Sequence, residues 1–431
     1  MGNKGFINRI KEGLQDACHV WAQEMKGTFR DEGVIIFFIL VPLVYPLLYS
    51  WIYNNEVARE VPVAVVDDSH SAMSRDFVRR CDASPDVRIQ CHVTNMEEAK
   101  TLMGRQEVKG IYYIPSDFST NINRMEQTAV SVYCDMSLML AYKAVYQTAL
   151  AVSQDMNSDI QIHSMGNMTD REDEIATRPL DYEEVPIFNP TGGYGNFILP
   201  GVLMLILQQT LVLGIGLAAG TARENNRFRE LIPISRHYRG VFRIVTGKSM
   251  CYFMIYTVMA AYLTMVVPRI FGFVAMAQAP ELVGIMLPYL LACIFFGMTV
   301  SCLIRHRENV MLLVVFFSVP LLFMSGVSWP QSNILGVWQG VSWLFPSTFG
   351  VRAFVRVSSM GATLDDVLPE YRILWIQTVV YFITACIVYR HQIQLSRRMV
   401  ICRLQHIRHK REVRRKLLNA KTQKRQEFSR R

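Results

Sequence analysis

Six long apolar stretches, none containing Asp, Glu, Lys, Arg or His, dominate this chain of 431 residues. Each approaches the roughly 20 residues with which a helix crosses a hydrocarbon layer, at about 1.5 Å of rise per residue. A soluble domain has no place for six such stretches, so the sequence predicts six transmembrane helices. They are predicted at residues 33–53, 196–222, 249–268, 282–304, 310–328 and 373–389.

Charge is unevenly distributed among the segments that join these stretches. Residues 55–190 carry more Asp and Glu than Lys and Arg, whereas the short loop 223–248 and the tail after Arg390 are strongly basic. Basic loops are retained on the cytoplasmic side of a membrane. The sequence therefore predicts cytoplasmic termini and an extracytoplasmic insert after the first span. A basic tail also suits nucleic acid, but beside a span the attraction to anionic lipid is the stronger expectation, and no nucleic-acid partner is predicted.

The first 32 residues have the pattern of an amphipathic helix. Apolar side chains recur every three or four positions, and charged side chains occupy the other faces. A helix of this kind, with no soluble core nearby, is predicted to lie on the cytoplasmic membrane surface before the chain enters the first span. The apolar positions are Phe6, Ile10, Leu14, Cys18, Trp21, Met25 and Phe29.

The insert alternates between two kinds of pattern. Short runs rich in β-branched and aromatic residues predict strands at 61–66, 87–93, 110–115 and 129–134. Helical patterns lie between them, the second opening with a capping box at Thr94-Asn-Met-Glu97, and a longer helix is predicted over 138–157. This alternation predicts an α/β domain with a small mixed sheet. The acidic, polar segment 156–189 is predicted to be a mobile connector.

The nine cysteines do not form a recognisable framework. Only Cys81, Cys91 and Cys134 fall in the insert, so at most one intramolecular disulfide is expected there, with Cys81 and Cys91 the closest pair. Metal-binding motifs and paired catalytic groups within the spans are lacking as well. The sequence therefore predicts neither a metal site nor a catalytic residue.

The segment Ile244-Val-Thr-Gly-Lys-Ser-Met250 contains the Gly-Lys-Ser that ends a phosphate-binding loop. That loop also needs a glycine five residues before Gly247, where this chain has Phe242. The segment is therefore predicted to lie at a membrane boundary, with Gly247 easing a turn and Lys248 facing lipid phosphates. If ATP is used, another chain is expected to bind it.

Local motifs occur in a characteristic order around the spans. They are Asn189-Pro-Thr-Gly-Gly-Tyr-Gly-Asn-Phe-Ile-Leu-Pro-Gly201 before the second span, Arg223-Glu-Asn-Asn-Arg-Phe-Arg-Glu-Leu-Ile-Pro233 after it, Gly247-Lys248 at the third, and Ser325-Gly-Val-Ser-Trp-Pro330, Leu344-Phe-Pro346 and Gly361 before the last. Together with one span, a large insert and five further spans, they make the whole chain resemble the type-2 ABC transporter permease family, specifically the bacterial exporters with a large periplasmic domain. The family usually has Gly-Thr where this chain has Asn226-Arg227-Phe228.

The resemblance implies a permease subunit of an exporter in the bacterial inner membrane, working by alternating access in efflux. It implies no cofactor on this chain, because ATP and Mg would be bound by separate ABC ATPase subunits, and it implies a second permease copy, as a homodimer or a heterodimer with a paralogue. Membrane lipids and a periplasmic adaptor protein are further expected partners. The ATPase-coupling residues implied by the resemblance are Arg223, Glu224, Arg227, Phe228, Arg229 and Glu230.

Other candidate site residues follow from the spans themselves. Gln208 and Gln209 are too polar to face lipid, so they are predicted to line a translocation path or to join neighbouring helices. The external segment 329–371 is rich in aromatic residues, which predicts re-entrant or interfacial helices. Within it, Arg352 and Arg356 lie on one helical face, where an anionic substrate or a lipid headgroup is the expected contact.

The predicted fold class is a polytopic α-helical membrane protein with an inserted extracytoplasmic α/β domain. The predicted organisation is an interfacial helix at 1–32, transmembrane helix 1 at 33–53, the insert at 54–190, transmembrane helices 2 to 6 over 191–390 with a coupling loop at 220–248, and a basic cytoplasmic tail at 391–431. A membrane-anchored receptor or adhesion protein acting through the insert is the alternative, although five later spans exceed what an anchor needs. A membrane enzyme acting on lipids is the third and least supported class.

Overall fold

A computed structural model describes residues 2–53, 57–166, 169–177, 185, 187–190, 192–225, 240–304 and 307–429. The chain divides into two compact units. The helical unit comprises Met1–Asn54 and Tyr194–Arg431, and the sheet unit comprises Asn55–Gly193.

Fourteen α-helices, one short 3-10 helix (Gln331–Asn333) and four strands occur in the described residues, with π-helical turns counted within the α-helices that contain them. The helices are α1 (Gly2–Thr28), α2 (Glu32–Ile52), α3 (Ala72–Asp82), α4 (Met96–Gly104), α5 (Phe118–Asn123), α6 (Met139–Met165), α7 (Asp170–Thr177), α8 (Tyr194–Asn225), α9 (Val241–Phe271), α10 (Ala279–Leu303), α11 (Arg307–Met324), α12 (Gly336–Ser342), α13 (Pro346–Met360) and α14 (Leu368–Ser429). The strands are β1 (Val61–Asp67), β2 (Val87–Val93), β3 (Gly110–Ile114) and β4 (Ser131–Cys134).

Six of the described helices are long and apolar enough to cross a membrane, which confirms the predicted number of spans. They are α2, α8, α9, α10, α11 and the first 28 residues of α14, Leu368–Leu395. The third begins at Val241, eight residues before the predicted start. The sequence placed Arg243 and Lys248 outside this helix because of their charge, but acidic side chains of α1 pair with both of them inside it.

Proline explains the two π-helical turns in the spans. One occupies Ile36–Leu40 in α2, two residues before Pro42, and the other occupies Tyr262–Val266 in α9, two residues before Pro268. Proline has no N–H to donate and its ring crowds the carbonyl of the preceding turn, so the helix widens locally to accommodate it.

The aromatic segment forms the short helices α12 and α13. Helix α13 has 15 residues, too few to cross a hydrocarbon layer, yet most of it is buried against α8, α10 and α14. Its second residue, Ser347, donates its backbone N–H to Gln208, which lies halfway along α8. The N-terminus of α13 therefore packs against the middle of α8, and the assignment of this segment to re-entrant or interfacial helices stays a prediction. Trp329, Trp338 and Trp343 remain exposed, whereas Phe345, Phe349 and Phe354 are buried.

The sheet unit contains one four-stranded sheet in the order β2-β1-β3-β4. Strands β2, β1 and β3 are parallel and β4 is antiparallel to β3, so the prediction of a small mixed sheet is confirmed. Helices α3 and α6 cover one face, where Phe77 and Tyr112 pack edge to face, and α4 covers the other. Crossovers through α3 and α4 connect the parallel strands, as parallel pairing requires.

Two local predictions in this unit were wrong. The capping box opens α3 rather than α4: Ser71 and Ser74 exchange side-chain and backbone hydrogen bonds, whereas Asn95 alone caps α4. Of the segment 156–189 predicted as a mobile connector, residues 156–165 continue α6 and residues 170–177 form α7, whereas residues 167–168, 178–184 and 186 lie outside the described residues. Nothing breaks the helix before Gly166, whose φ of 86° ends it.

Candidate functional site

One end of the helical unit gathers charged side chains from residues far apart in sequence. Alternation of the spans brings the start of α2, the end of α8, the start of α9, the end of α10 and the start of α11 to this end, and α1 packs beside them. Residues 226–239, the loop that joins α8 to α9 in the sequence, lie outside the described residues. The charged cluster is defined as Asp16, Glu24, Asp31, Arg223, Arg243, Lys248 and Arg307.

The most buried pair of the cluster joins α1 to α9. Lys248 Nζ lies 2.7 Å from Glu24 Oε2, and the two side chains are only 6% and 15% exposed. The hydroxyl of Tyr252, one turn further along α9, donates a hydrogen bond to the other carboxylate oxygen of Glu24. A buried charge is tolerated when its hydrogen bonds are satisfied, and here one carboxylate is shared by two donors.

A second pair and a close backbone approach fix α1 along the first two turns of α9. Arg243 Nη1 lies 2.5 Å from Asp16 Oδ2. Between the two ion pairs, a Cβ added at Gly247 would lie 2.7 Å from the carbonyl oxygen of Ala17 and 2.9 Å from Cβ of Val20. Only glycine permits this approach, so Gly247 and Lys248 serve to dock α1. The predictions that Gly247 eases a turn and that Lys248 faces lipid phosphates were therefore wrong.

Asp31 connects three spans. Its carboxylate caps α2 by accepting the N–H groups of Gly33 and Val34, at 3.0 and 3.4 Å. It also accepts a hydrogen bond from Thr221 of α8 and lies 3.0 Å from Arg307 Nη2 of α11. Burial raises the pKa of Asp31, but the Thr221 hydrogen bond, the Arg307 charge and the capping bonds outweigh it, so the net shift is downward. The carboxylate is held ionised.

Arg223 performs a similar role between α8 and α10. Its guanidinium donates to the carbonyl oxygens of Cys302 and Ile304, the first at 3.1 Å. These carbonyls belong to the end of α10, where the helix leaves its last acceptors unpaired and carries partial negative charge. Glu224, by contrast, is exposed at the end of α8. The other predicted coupling residues, Arg227, Phe228, Arg229 and Glu230, lie outside the described residues.

The charged cluster joins helices to one another and does not have the arrangement of a ligand-binding site. In the part of the chain that the structure describes, no group of three or more His, Cys, Asp or Glu residues is placed to hold a metal ion. Gly247-Lys248-Ser249 is helical and buried, so its backbone N–H groups are used within α9 and do not cradle a phosphate. The arrangement ties α1 to α9, and α8 to α2, α10 and α11, through charge-assisted hydrogen bonds, so that displacement of one of these ends strains the others.

Gln208 occupies the centre of the spans. The Oε1 atom accepts the N–H of Ser347 at 2.7 Å, and the side chain is 2% exposed. The amide therefore satisfies an unpaired donor in the first turn of α13 and holds this helix against α8. Gln209, the next residue, is half-buried. Nearby, Ser347 Oγ and Gln377 Oε1 are buried without a hydrogen-bond partner among the described residues.

The two predicted anion contacts have different surroundings. Arg356 donates to the carbonyl oxygen of Asp366 at 2.9 Å and lies 3.4 Å from Glu370 Oε1, so it is paired within the chain. The guanidinium of Arg352 stacks over Phe349, with its carbon 5.4 Å from the ring centre, and its Nη2 atom is buried without a partner in the described structure. Of the two arginines, Arg352 is therefore the one with a guanidinium nitrogen still able to donate a hydrogen bond to another acceptor.

The sequence analysis missed Asp16, Glu24 and Asp31. One signal was present: Asp16 and Glu24 are acidic residues outside the apolar stripe of α1 and are spaced about two turns apart. Their partners, Arg243 and Lys248, are more than 220 residues away, and no local pattern specifies the pairing. On the apolar stripe, Leu14 is 66% and Phe29 is 52% exposed, whereas Trp21 and Met25 pack against the core of the helical unit.

Comparison with known proteins places these features in a family. Residues 33–387 match the sequence model described as "ABC-2 family transporter protein". The chain is also 19% identical over 352 residues to the probable multidrug ABC transporter permease YbhR of Escherichia coli K12, covering 80% of this chain and 90% of YbhR. The probable multidrug ABC transporter permease YbhS of the same organism is 23% identical over 367 residues, covering 84% of this chain and 93% of YbhS.

Proposed function

Because this chain belongs to the ABC-2 family of transporter proteins, we propose that it is the permease subunit of an ATP-driven exporter in a bacterial inner membrane. A separate ABC ATPase subunit binds ATP and Mg and docks at the end of the helical unit that carries the charged cluster. The substrate leaves from the cytoplasm or the inner leaflet of the membrane. The family and the two probable multidrug permeases support transport as the activity.

The observation that carries the proposal is the bonding of the side chains that precede and follow residues 226–239 in the sequence. Arg223 and Thr221 stand just before this loop, and Arg243 and Lys248 just after it. Arg223 bonds to the end of α10 and Thr221 to Asp31 at the start of α2, whereas Arg243 and Lys248 both bond to α1. A protein that presses on the loop therefore acts on five spans and on α1 at once, which is what energy coupling between subunits requires.

Binding thermodynamics sets the condition under which ATP can change the conformation of the permease. ATP shifts a permease between two conformations only if the docked ATPase contacts those conformations differently. Loop 226–239 contains Phe228 between Arg227 and Arg229, an apolar anchor within a polar surround of the kind that protein interfaces favour. Arg223, Arg227, Phe228, Arg229 and Glu230 are thus proposed to form the contact with the ATPase, with Glu224 at its edge.

At the opposite end of the spans, the re-entrant helix α13 is proposed to close the outer side of the pathway. Gln208 holds its N-terminus, and Ser347 and Gln377 supply unpaired polar atoms there. Movement of α13 away from α8 would open this side. A path of this kind is completed by a second permease copy, and the basic loop and tail support a cytoplasmic location for both termini, with the sheet unit in the periplasm.

The test is purification of the tagged permease from native membranes after gentle solubilisation, with mass spectrometry of the co-purifying chains. We expect an ATPase subunit with a complete phosphate-binding loop to co-purify with the unmodified chain. Phe228→Asp should lose that subunit, because it places a charge where the loop offers its apolar anchor.

Phe188→Asp is the matched control. Phe188 is 41% exposed and belongs to the sheet unit, so the same change there should leave the ATPase bound. Absence of an ATPase from the unmodified sample would refute the proposal. It would favour instead a receptor or adhesion protein that acts through the sheet unit.

A further inference from the structure

The sheet unit contains a cleft of about 640 Å³ that transport by the spans does not explain. It lies between α3 and the edge strand β2, near the ends of β1 and β2 that ligands commonly approach in parallel sheets. Its floor is apolar and its rim is charged. The floor consists of Val65, Val78, Ile89 and Val93, and the rim includes His70, Arg75, Arg79 and His92.

A β-bulge gives the cleft one of its histidines. Val63 pairs with Ile89, but Ala64 pairs with Cys91, so Gln90 is an extra residue in β2. The bulge reverses the alternation of side chains along the strand. His92 therefore pairs with Val65 and shares the α3 face with Ile89, whereas Cys91 turns to the opposite face. Bulges of this kind redirect a side chain and are frequent beside functional sites.

The acidic groups of the cleft are largely committed to the fold. Asp67 accepts the N–H groups of Ser69 and His70 through one oxygen and the Ser74 hydroxyl through the other. Asp82 accepts the N–H of Ile89 at 2.8 Å. That bond also occupies the outer edge of β2, so an extended peptide cannot pair there without displacing Asp82.

The hydrogen-bond donors of the cleft make fewer bonds within the protein than its acidic groups do. The imidazoles of His70 and His92 have no hydrogen-bond partner in the described structure, and Arg75 uses one guanidinium nitrogen on the carbonyl oxygen of His70. Arg79 is paired with Asp76. The groups of the cleft that remain available to bond a ligand are therefore hydrogen-bond donors, and they lie above an apolar floor.

We propose that this cleft binds a small amphipathic anion whose carboxylate contacts Arg75 and His92 and whose apolar part lies on Val65, Val78 and Ile89. Charge-assisted hydrogen bonds fix the orientation of such a ligand, and the apolar floor adds affinity by removing surface from water. The volume admits a molecule of the size of a substituted benzoate.

The test uses the full-length protein in lipid nanodiscs and 4-(trifluoromethyl)benzoate as the probe, observed by fluorine NMR. We expect saturable binding, weakened at least roughly tenfold in the double variant Arg75→Gln/His92→Gln because neutral amides replace the guanidinium charge and the imidazole that contact the carboxylate. Arg88→Gln is the matched control, since Arg88 is exposed on β2 but does not line the cleft. The neutral amide of the probe should show only non-saturable partition into lipid.

A second measurement needs no variant. Modification of histidines by diethyl pyrocarbonate, followed by peptide mapping, should show that the probe protects His70 and His92 but not His163, which is exposed on α6. The proposal is overturned if binding is not saturable, if the double variant binds as well as the unmodified protein, if the amide binds as tightly as the carboxylate, or if His70 and His92 are not protected.

Discussion

The ion pair between Glu24 and Lys248 offers the sharpest test of how α1 is held. Lys248→Met keeps the length and apolar stem of the side chain but leaves the Glu24 carboxylate beside α9 without its cation. Nζ and Oε2 lie 2.7 Å apart in the unmodified protein, and both side chains are largely shielded from water. Removal of one partner from such a pair costs about 3–5 kcal/mol, whereas an exposed pair contributes only about 0–1 kcal/mol.

This loss should appear as local opening of α1 rather than as global unfolding, because the other contacts of α9 lie within the helical core. Hydrogen exchange of the α1 amides, followed by mass spectrometry in nanodiscs, reports the free energy of that opening. We expect Lys248→Met to reduce protection of residues 13–28 by about two to four orders of magnitude, since about 1.4 kcal/mol corresponds to a factor of ten.

The double variant Glu24→Gln/Lys248→Met should recover most of the protection. No uncompensated charge remains in it, and the new side-chain amide on α1 can still accept a hydrogen bond from the Tyr252 hydroxyl. The double-mutant cycle then yields the coupling free energy between the two side chains. A coupling below about 1 kcal/mol, the range of exposed pairs, would refute the claim that this pair docks α1.

Three further outcomes are expected. Gly247→Ala should loosen α1 by about 1–3 kcal/mol in the same exchange measurement, because its Cβ overlaps the backbone of α1, whereas Gly27→Ala, with open space around it, should not. Folding lowers the pKa of Asp31, so this residue stabilises the protein above about pH 3.9 and loses that contribution as the pH falls through its folded pKa. The thermal unfolding of Asp31→Asn should therefore be less sensitive to acid below about pH 4 than that of the unmodified protein. Gln208→Leu should lower the free energy of unfolding by about 1–3 kcal/mol because a buried N–H of α13 loses its acceptor, and Gln209→Leu should lower it less.

The fold could be predicted to the extent that it depends on local patterns. Span number follows from apolar length, and the strands β1 to β4 follow from their β-branched and aromatic residues. Predicted strand positions agree closely with the observed ones because each run is short and bounded by polar residues. The segment 329–371, which forms α12 and α13, also had a local signal in its many aromatic residues.

The candidate site was predictable only in part, because its decisive contacts are non-local. Lys248 looked like a residue at the end of a span, and only Glu24, 224 positions earlier, makes its burial possible. Asp31 acquires its role from Thr221 and Arg307, which no periodicity connects to it. The bulge at Gln90 is likewise set by pairing with β1 and not by the residues of β2 alone.

The most direct test of the central claim is photocross-linking at position 228. A photoreactive phenylalanine analogue replaces Phe228 in the chain produced in its native membrane, and cross-linked products are identified by mass spectrometry before and after addition of ATP. The account predicts a cross-link to an ATP-hydrolysing subunit whose yield changes with ATP. Cross-links only to lipid, to the permease itself or to a protein without a nucleotide site would contradict it.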